Sequence, residues 1–117
     1  MKAEKTPPDS NISAIRAFIA GETSLSLGEK ERVAPLIWKL QEEWMYLWHR
    51  TKERGLISEI VTLARRFQVI GQDKGVSVLT FYGEALEVSA MDFDLEGFEE
   101  LLSLYPRVVQ ALGREAE

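Results

Sequence analysis

Apolar residues recur three and four positions apart along most of the chain, which is the spacing of one face of an α-helix. The longest series begins after the capping pattern of Ser26 and Glu29 and ends at Gly55, and it predicts one long helix. Pro35 should kink this helix or start a second one, because proline removes a backbone donor. The apolar face of the long helix comprises Val33, Leu36, Ile37, Leu40, Trp44, Leu47 and Trp48.

Further helices with the same spacing lie on both sides of the long one. A short helix precedes it and ends near Gly21. After it, one helix ends within Gly71–Gly75, another covers about Ser77–Met91, and Asp94 is a suitable N-cap for the last. Their apolar faces comprise, in chain order, Ile12, Ile15, Phe18, Ile19, Ile57, Ile60, Ala64, Phe67, Ile70, Leu79, Tyr82, Leu86, Ala90, Leu95, Phe98, Leu101, Leu102, Tyr105, Val109 and Leu112.

This pattern predicts an all-α fold, because no stretch alternates with period two for long enough to make a strand. We expect an antiparallel four-helix bundle with a short extra N-terminal helix, formed by residues 12–117 as a single domain. Residues 1–11 are polar, contain two prolines and predict a disordered linker or tail. Pro106 predicts a kink in the last helix. The residues expected to be largely buried are Phe67, Tyr82, Leu86, Phe98 and Leu102.

Composition and charge exclude several classes of protein. The 117 residues are 45% hydrophobic and 28% charged, as is usual for one globular domain. There is no cysteine, which excludes disulfides and thiolate metal sites. No apolar run approaches the length of a membrane span, and the net charge of −5 argues against nucleic acid as a partner. We therefore expect a cytoplasmic protein that binds neither membrane nor nucleic acid.

The chain has few of the residues from which catalytic, cofactor-binding or metal-binding sites are built. His49 is the only histidine, so a metal site around it would depend on carboxylates. The segment Gly71–Gly75 lacks the Gly-Lys-Ser/Thr ending of a phosphate loop, and no serine lies in a nucleophile-elbow motif. The sequence therefore predicts no catalytic, cofactor-binding or metal-binding residues, and a protein that is not an enzyme.

An ordered set of residues between about Leu36 and Leu112 resembles a known bacterial family. The matching residues are Trp44, Glu59, Ile60, Leu63, Ala64, Ile70, Gly71, Leu79, Tyr82, Gly83, Leu86, Phe93, Asp94, Leu102, Tyr105 and Pro106. In this order and spacing they resemble the C-terminal helical module of bacterial hybrid sensor histidine kinases and response-regulator proteins. The resemblance implies a non-catalytic interaction or regulatory module of two-component signalling. Its partner would be a receiver or kinase domain, in the same chain or a separate one, and a homodimer is compatible with this role.

Signalling bundles of this kind suggest an alternative, the histidine-containing phosphotransfer (HPt) domain, whose pattern is His-x-x-Lys-Gly. Here His49 would be the phosphoacceptor and Lys52 the cation that holds the phosphoryl oxygens. His49 lies roughly 160° from the centre of the apolar face, so we expect it to be exposed. Glu53 replaces the glycine, and the helix ends soon afterwards at Gly55. We therefore expect His49 to carry no phosphate.

One further group of residues is a candidate interaction surface on the long helix. Trp44 and Trp48 lie on the apolar face and are expected in the core. For Trp38, burial in the core is the favoured interpretation and anchoring of a partner is the alternative. The candidate surface comprises Trp38, Met45, His49, Arg50 and Lys52.

Overall fold

The computed structural model describes residues 8–116 of the chain, with side chains from Ile12 to Ala116. This part contains seven α-helices and one 3-10 turn, and no strand, which confirms the all-α class. The elements are α1 (Pro8–Ile19), α2 (Leu27–Val33), the 3-10 turn (Ala34–Leu36), α3 (Ile37–Gln41), α4 (Glu43–Arg54), α5 (Ile57–Lys74), α6 (Ser77–Met91) and α7 (Leu95–Ala116). Of the predicted tail 1–11, residues 1–7 lie outside the described residues and residues 8–11 belong to α1.

The predicted long helix is divided into three. The 3-10 turn contains Pro35, so the interruption expected there is confirmed. A second break at Glu42, with φ −104° and ψ −73°, was not predicted, since neither proline nor glycine marks it. The last segment, α4, ends as expected at Gly55, whose φ of +64° is the left-handed conformation that favours glycine.

Packing centres on α6, which lies against α5, α1 and α7. Helix α1 brings Ile15 and Phe18 into the core, where they are 0% and 4% exposed. Helix α4 packs against α5 and α7, while α2 and α3 pack against α7. The short first helix is therefore part of the main core rather than an addition to it, and the arrangement has more elements than the expected four-helix bundle.

An aromatic cluster occupies the centre of the core. The ring of Phe67 lies 5.2 Å from Trp44, 5.3 Å from Tyr82 and 5.1 Å from Tyr105, measured between centroids. The five side chains expected to be largely buried are all 4% exposed or less. Trp44 and Trp48 are only half-buried, but both pack against the core. Leu95, expected on the apolar face, is instead 62% exposed, because it is the first residue of α7.

Both buried tyrosines have a partner for the hydroxyl group. Tyr82 donates to the carbonyl of Leu101 at 2.6 Å, and Tyr105 donates to the carbonyl of Leu40 at 2.8 Å. Burial raises the pKa of both phenols above the ordinary value of 10.0, and for Tyr82 the neighbouring Tyr105 adds to the effect. Tyr82 therefore joins α6 to α7, and Tyr105 joins α7 to α3. Both phenols are neutral when they do so.

This burial predicts alkaline unfolding. The phenols of the unfolded chain lose their protons near pH 10, whereas the buried phenols of the folded chain keep theirs to higher pH. The contribution of the two tyrosines to the free energy of unfolding is therefore complete below pH 10 and is lost as the pH rises further. The free energy of unfolding in urea should be level from pH 8 to 9.5 and fall steeply by pH 11. Tyr105→Phe should cost about 1–3 kcal/mol at pH 8, because the Leu40 carbonyl loses its donor, and should flatten the alkaline fall. If the free energy of unfolding falls equally steeply above pH 10 in the parent and in Tyr105→Phe, this explanation is wrong.

The side chain of Glu29 accepts hydrogen bonds at the N-termini of two helices, α2 and α6. Its backbone amide donates to Oγ of Ser26, and its Oε1 accepts from the Ser26 amide, both at 3.1 Å, which confirms the predicted capping box. Its Oε2 accepts from Ser77 at the start of α6, from the amide at 3.2 Å and the hydroxyl at 2.9 Å. Helix α6 has Val76 as its N-cap residue, which provides no side-chain acceptor. Partial burial raises the pKa of Glu29, but these hydrogen bonds outweigh it and leave the pKa lowered.

Helices α5 and α6 approach closely at Gly83. A Cβ atom there would lie 2.5 Å from the carbonyl oxygen of Ala64 and 2.9 Å from the amide nitrogen of Gln68. Both are backbone atoms, which cannot move aside without shifting α5. Only glycine fits this contact between the two helices.

Candidate functional site

His49 lies on the solvent side of α4, as predicted. Its side chain is 59% exposed, and Nε2 lies 3.3 Å from a carboxylate oxygen of Glu53. Lys52, the cation of the phosphotransfer alternative, lies over the indole ring of Trp48, with Nζ 5.4 Å from the centroid. Each of the two groups that phosphotransfer would use therefore has another partner close by.

Of the five residues of the candidate surface, Trp38 lies on α3 and the other four lie on α4. Trp38 is 66% exposed, so the favoured interpretation of burial in the core was wrong; its ring lies outside the core cluster. Met45 lines a shallow groove against α7 that includes Pro106. Arg50 lies on the opposite side of α4 and lines a pocket against α5. His49 and Lys52 follow Met45 by four and seven residues, so these three lie on the same side of α4, away from Arg50.

The pocket between α4 and α5 was missed by the sequence reasoning. Its volume is about 210 Å³, and it is lined by Leu47, Arg50, Thr51, Glu59, Thr62, Leu63 and Arg66. A second groove continues along α5, shares Thr62 and Arg66 with the pocket, and also includes Trp44, Arg65, Val69 and Ile70. The available signal was Thr51, which continues the apolar spacing of Trp44, Leu47 and Trp48 as a polar residue on the buried face of α4.

Charge is distributed unevenly around this pocket. Glu59 is held by Arg54, whose Nε lies 2.9 and 3.1 Å from the two carboxylate oxygens. Arg65, in the adjoining groove, is paired with Glu87 at 2.9 Å. Among residues 12–116, Arg50 and Arg66 form no ion pair. The pocket is therefore locally positive in a chain whose net charge is −5.

Thr51 is the most deeply placed polar group of the pocket. The residue is only 8% exposed, yet its hydroxyl has no hydrogen-bond partner in the part of the chain that the structure describes. No fully buried side-chain oxygen or nitrogen lacks a partner in this part of the chain, so the Thr51 oxygen must reach the open space of the pocket. A hydroxyl in this position is available to a ligand.

A second surface lies at the corner between α6 and α7. Met91, Phe93 and Leu95 are 56%, 73% and 62% exposed. Phe93 has a φ of +55°, the one positive φ of a non-glycine residue among those described. Asp92 and Asp94 flank the ring in sequence, and Oδ1 of Asp94 accepts from the amide of Gly97 at 3.1 Å, which confirms the predicted N-cap of α7. The corner is thus apolar and acidic.

Two properties of the whole described region bear on function. Nowhere in residues 12–116 do three histidine, aspartate or glutamate side chains group as a metal site would require. None of the helices described has both the length and the apolar character needed to cross a membrane.

Comparison with known protein families, with curated proteins and with solved structures finds no match to this chain.

Proposed function

We propose that this chain is a non-catalytic interaction module of a bacterial two-component signalling protein, which docks onto a receiver or kinase domain in the same chain or a separate one. The pattern shared with such modules has a clear structural role. Tyr82 and Tyr105 hydrogen-bond to backbone across the core, Gly83 allows α5 and α6 to meet, and Asp94 caps α7. These residues build the fold, so the docking proposal depends on the surface.

The observation that carries the docking proposal is the exposed corner of Met91, Phe93 and Leu95. A bulky residue in the left-handed region costs roughly 1–3 kcal/mol, and Phe93 recovers none of this by burial in the isolated chain. Neighbouring exposed apolar side chains are characteristic of surfaces that a partner covers. Because Asp92 and Asp94 flank the ring, the partner's face should be apolar with basic residues around it.

The test uses receiver and kinase-core domains encoded beside the gene, with binding measured by calorimetry. Phe93→Asn should weaken binding by about tenfold or more, because a buried aromatic anchor is lost. Asparagine tolerates a positive φ, so the variant should be as stable as the parent or slightly more stable. Tyr46→Asn is the matched control, since Tyr46 is an aromatic side chain 62% exposed on α4; it should bind as the parent does. Unchanged binding by Phe93→Asn, or no binding by the parent, would contradict the proposal.

The same receiver, phosphorylated, separates docking from phosphotransfer. We expect binding without transfer of label, because Glu53 pairs with His49 and Lys52 lies over Trp48. Acid-labile, alkali-stable label that His49→Gln abolishes would replace the docking proposal with the phosphotransfer alternative.

A further inference from the structure

The pocket between α4 and α5 has the features of a binding site for a small oxyanion. Arg50 and Arg66 both line it, and neither has an ion-pair partner in the described part of the chain. Two guanidinium groups beside one opening repel each other, and this repulsion is relieved when an anion binds between them. The one carboxylate in the pocket, Glu59, is held by Arg54, so it does not neutralise the two free cations.

Hydroxyl groups complete the lining. Thr51 presents an unpartnered hydroxyl from a residue that is 8% exposed, so this donor is held in place by packing. The hydroxyl of Thr62 donates to the carbonyl of Ser58 at 2.9 Å, so its proton is committed and Thr62 is part of the wall rather than a donor to the ligand. Leu47 and Leu63 contribute an apolar wall. A packed hydroxyl and two guanidinium groups that line one pocket are a suitable set of donors for the oxygens of a tetrahedral anion.

We infer that this pocket binds a phosphate group, free or as the monoester of a small molecule, with Arg50, Arg66 and the Thr51 hydroxyl as donors. Two unpaired cations match the charge of about −1.5 to −2 that a phosphate monoester carries near pH 7 better than the single charge of a carboxylate. The volume of about 210 Å³ is far more than a single water molecule requires, so the group and a short substituent can enter. This site does not depend on the proposed function, since it uses no residue of the α6–α7 corner.

The experiment titrates ¹⁵N-labelled protein with inorganic phosphate at constant ionic strength, with sodium chloride replaced step by step. Signals from the Thr51 amide and the side-chain Nε–H groups of Arg50 and Arg66 should shift and saturate. Arg66→Gln and Thr51→Val should each weaken binding by about tenfold, the effect of one charge-assisted hydrogen bond. Thr51→Val keeps the shape of the side chain, so its loss of binding would not come from unfolding.

Two comparisons make the result decisive. Arg107→Gln removes the same charge from α7, outside this pocket, and should bind phosphate as the parent does. Glycerol phosphate shows whether the natural ligand is a phosphate monoester or the free ion. If it binds at least as tightly as inorganic phosphate, the ligand is a monoester; if it binds more weakly, the ligand is the free ion. Shifts that fail to saturate, that are equal in Arg66→Gln, or that acetate reproduces at the same concentrations would overturn the inference. Phe93→Asn should bind phosphate normally, so failure of this site and failure of docking are distinguishable.

Discussion

Phe67→Ala should lower the free energy of unfolding at 25 °C by about 3–5 kcal/mol, a large share of the stability of a domain of this size. Phe67 is 0% exposed, and its ring on α5 contacts Trp44 on α4, Tyr82 on α6 and Tyr105 on α7. Four helices therefore meet at one side chain. Removing a buried phenylalanine costs about 3–5 kcal/mol, whereas the total stability of a domain is only about 5–15 kcal/mol.

Urea unfolding followed by circular dichroism provides the measurement, and Phe93→Ala is the matched control. The control removes the same ring from a position that is 73% exposed, so its free energy of unfolding should stay within about 0.5 kcal/mol of the parent. If Phe67→Ala unfolds at the parent's urea midpoint, the aromatic cluster is not the centre of the core.

Gly83→Ala should destabilise the chain although alanine is the better helix former. A methyl group at Gly83 would meet the backbone of Ala64 and Gln68 at 2.5 and 2.9 Å, so α5 and α6 must move apart. Overpacking of this kind costs about 1–3 kcal/mol, and this case should lie near the upper end because the atoms it meets belong to the backbone. The gain from helix propensity, about 1 kcal/mol, offsets only part of the loss.

Gly113→Ala should change the free energy of unfolding in the opposite direction in the same assay. Gly113 is also inside a helix, and nothing lies within 4 Å of where its Cβ would be. Alanine there should raise the free energy of unfolding by about 0.5–1 kcal/mol, through helix propensity alone. Two variants that both stabilise the chain would mean that α5 and α6 are further apart than described.

Local signals explain which elements could be predicted. Helix α6 was expected at about Ser77–Met91 and has these bounds, because glycine precedes it and the apolar spacing is regular throughout. The end of α4 at Gly55 and the cap at Asp94 follow from residues with strong local preferences. The break at Glu42 has no such signal. We find no residue near it that would have predicted the interruption.

The candidate site was harder to predict, because it depends on what lies opposite each residue. Helical spacing identified Arg50 as a surface residue, but only the packing of α4 on α5 places it near Arg66. Trp38 is exposed although its residue type favours burial, because Leu36 and Leu40 are the residues that face the core from this part of the chain. The positive φ of Phe93 had no signal either, since glycine is the usual residue for that conformation.

The double role of Glu29 sets the smallest fragment of this chain that can be expected to fold. A fragment limited to about Leu36–Leu112, the segment whose pattern led us to expect a signalling module, would lack the carboxylate that caps α6. It would also lack α1, whose Ile15 and Phe18 lie against the core. The unit that folds is therefore longer than this segment, and recombinant fragments should begin before α1.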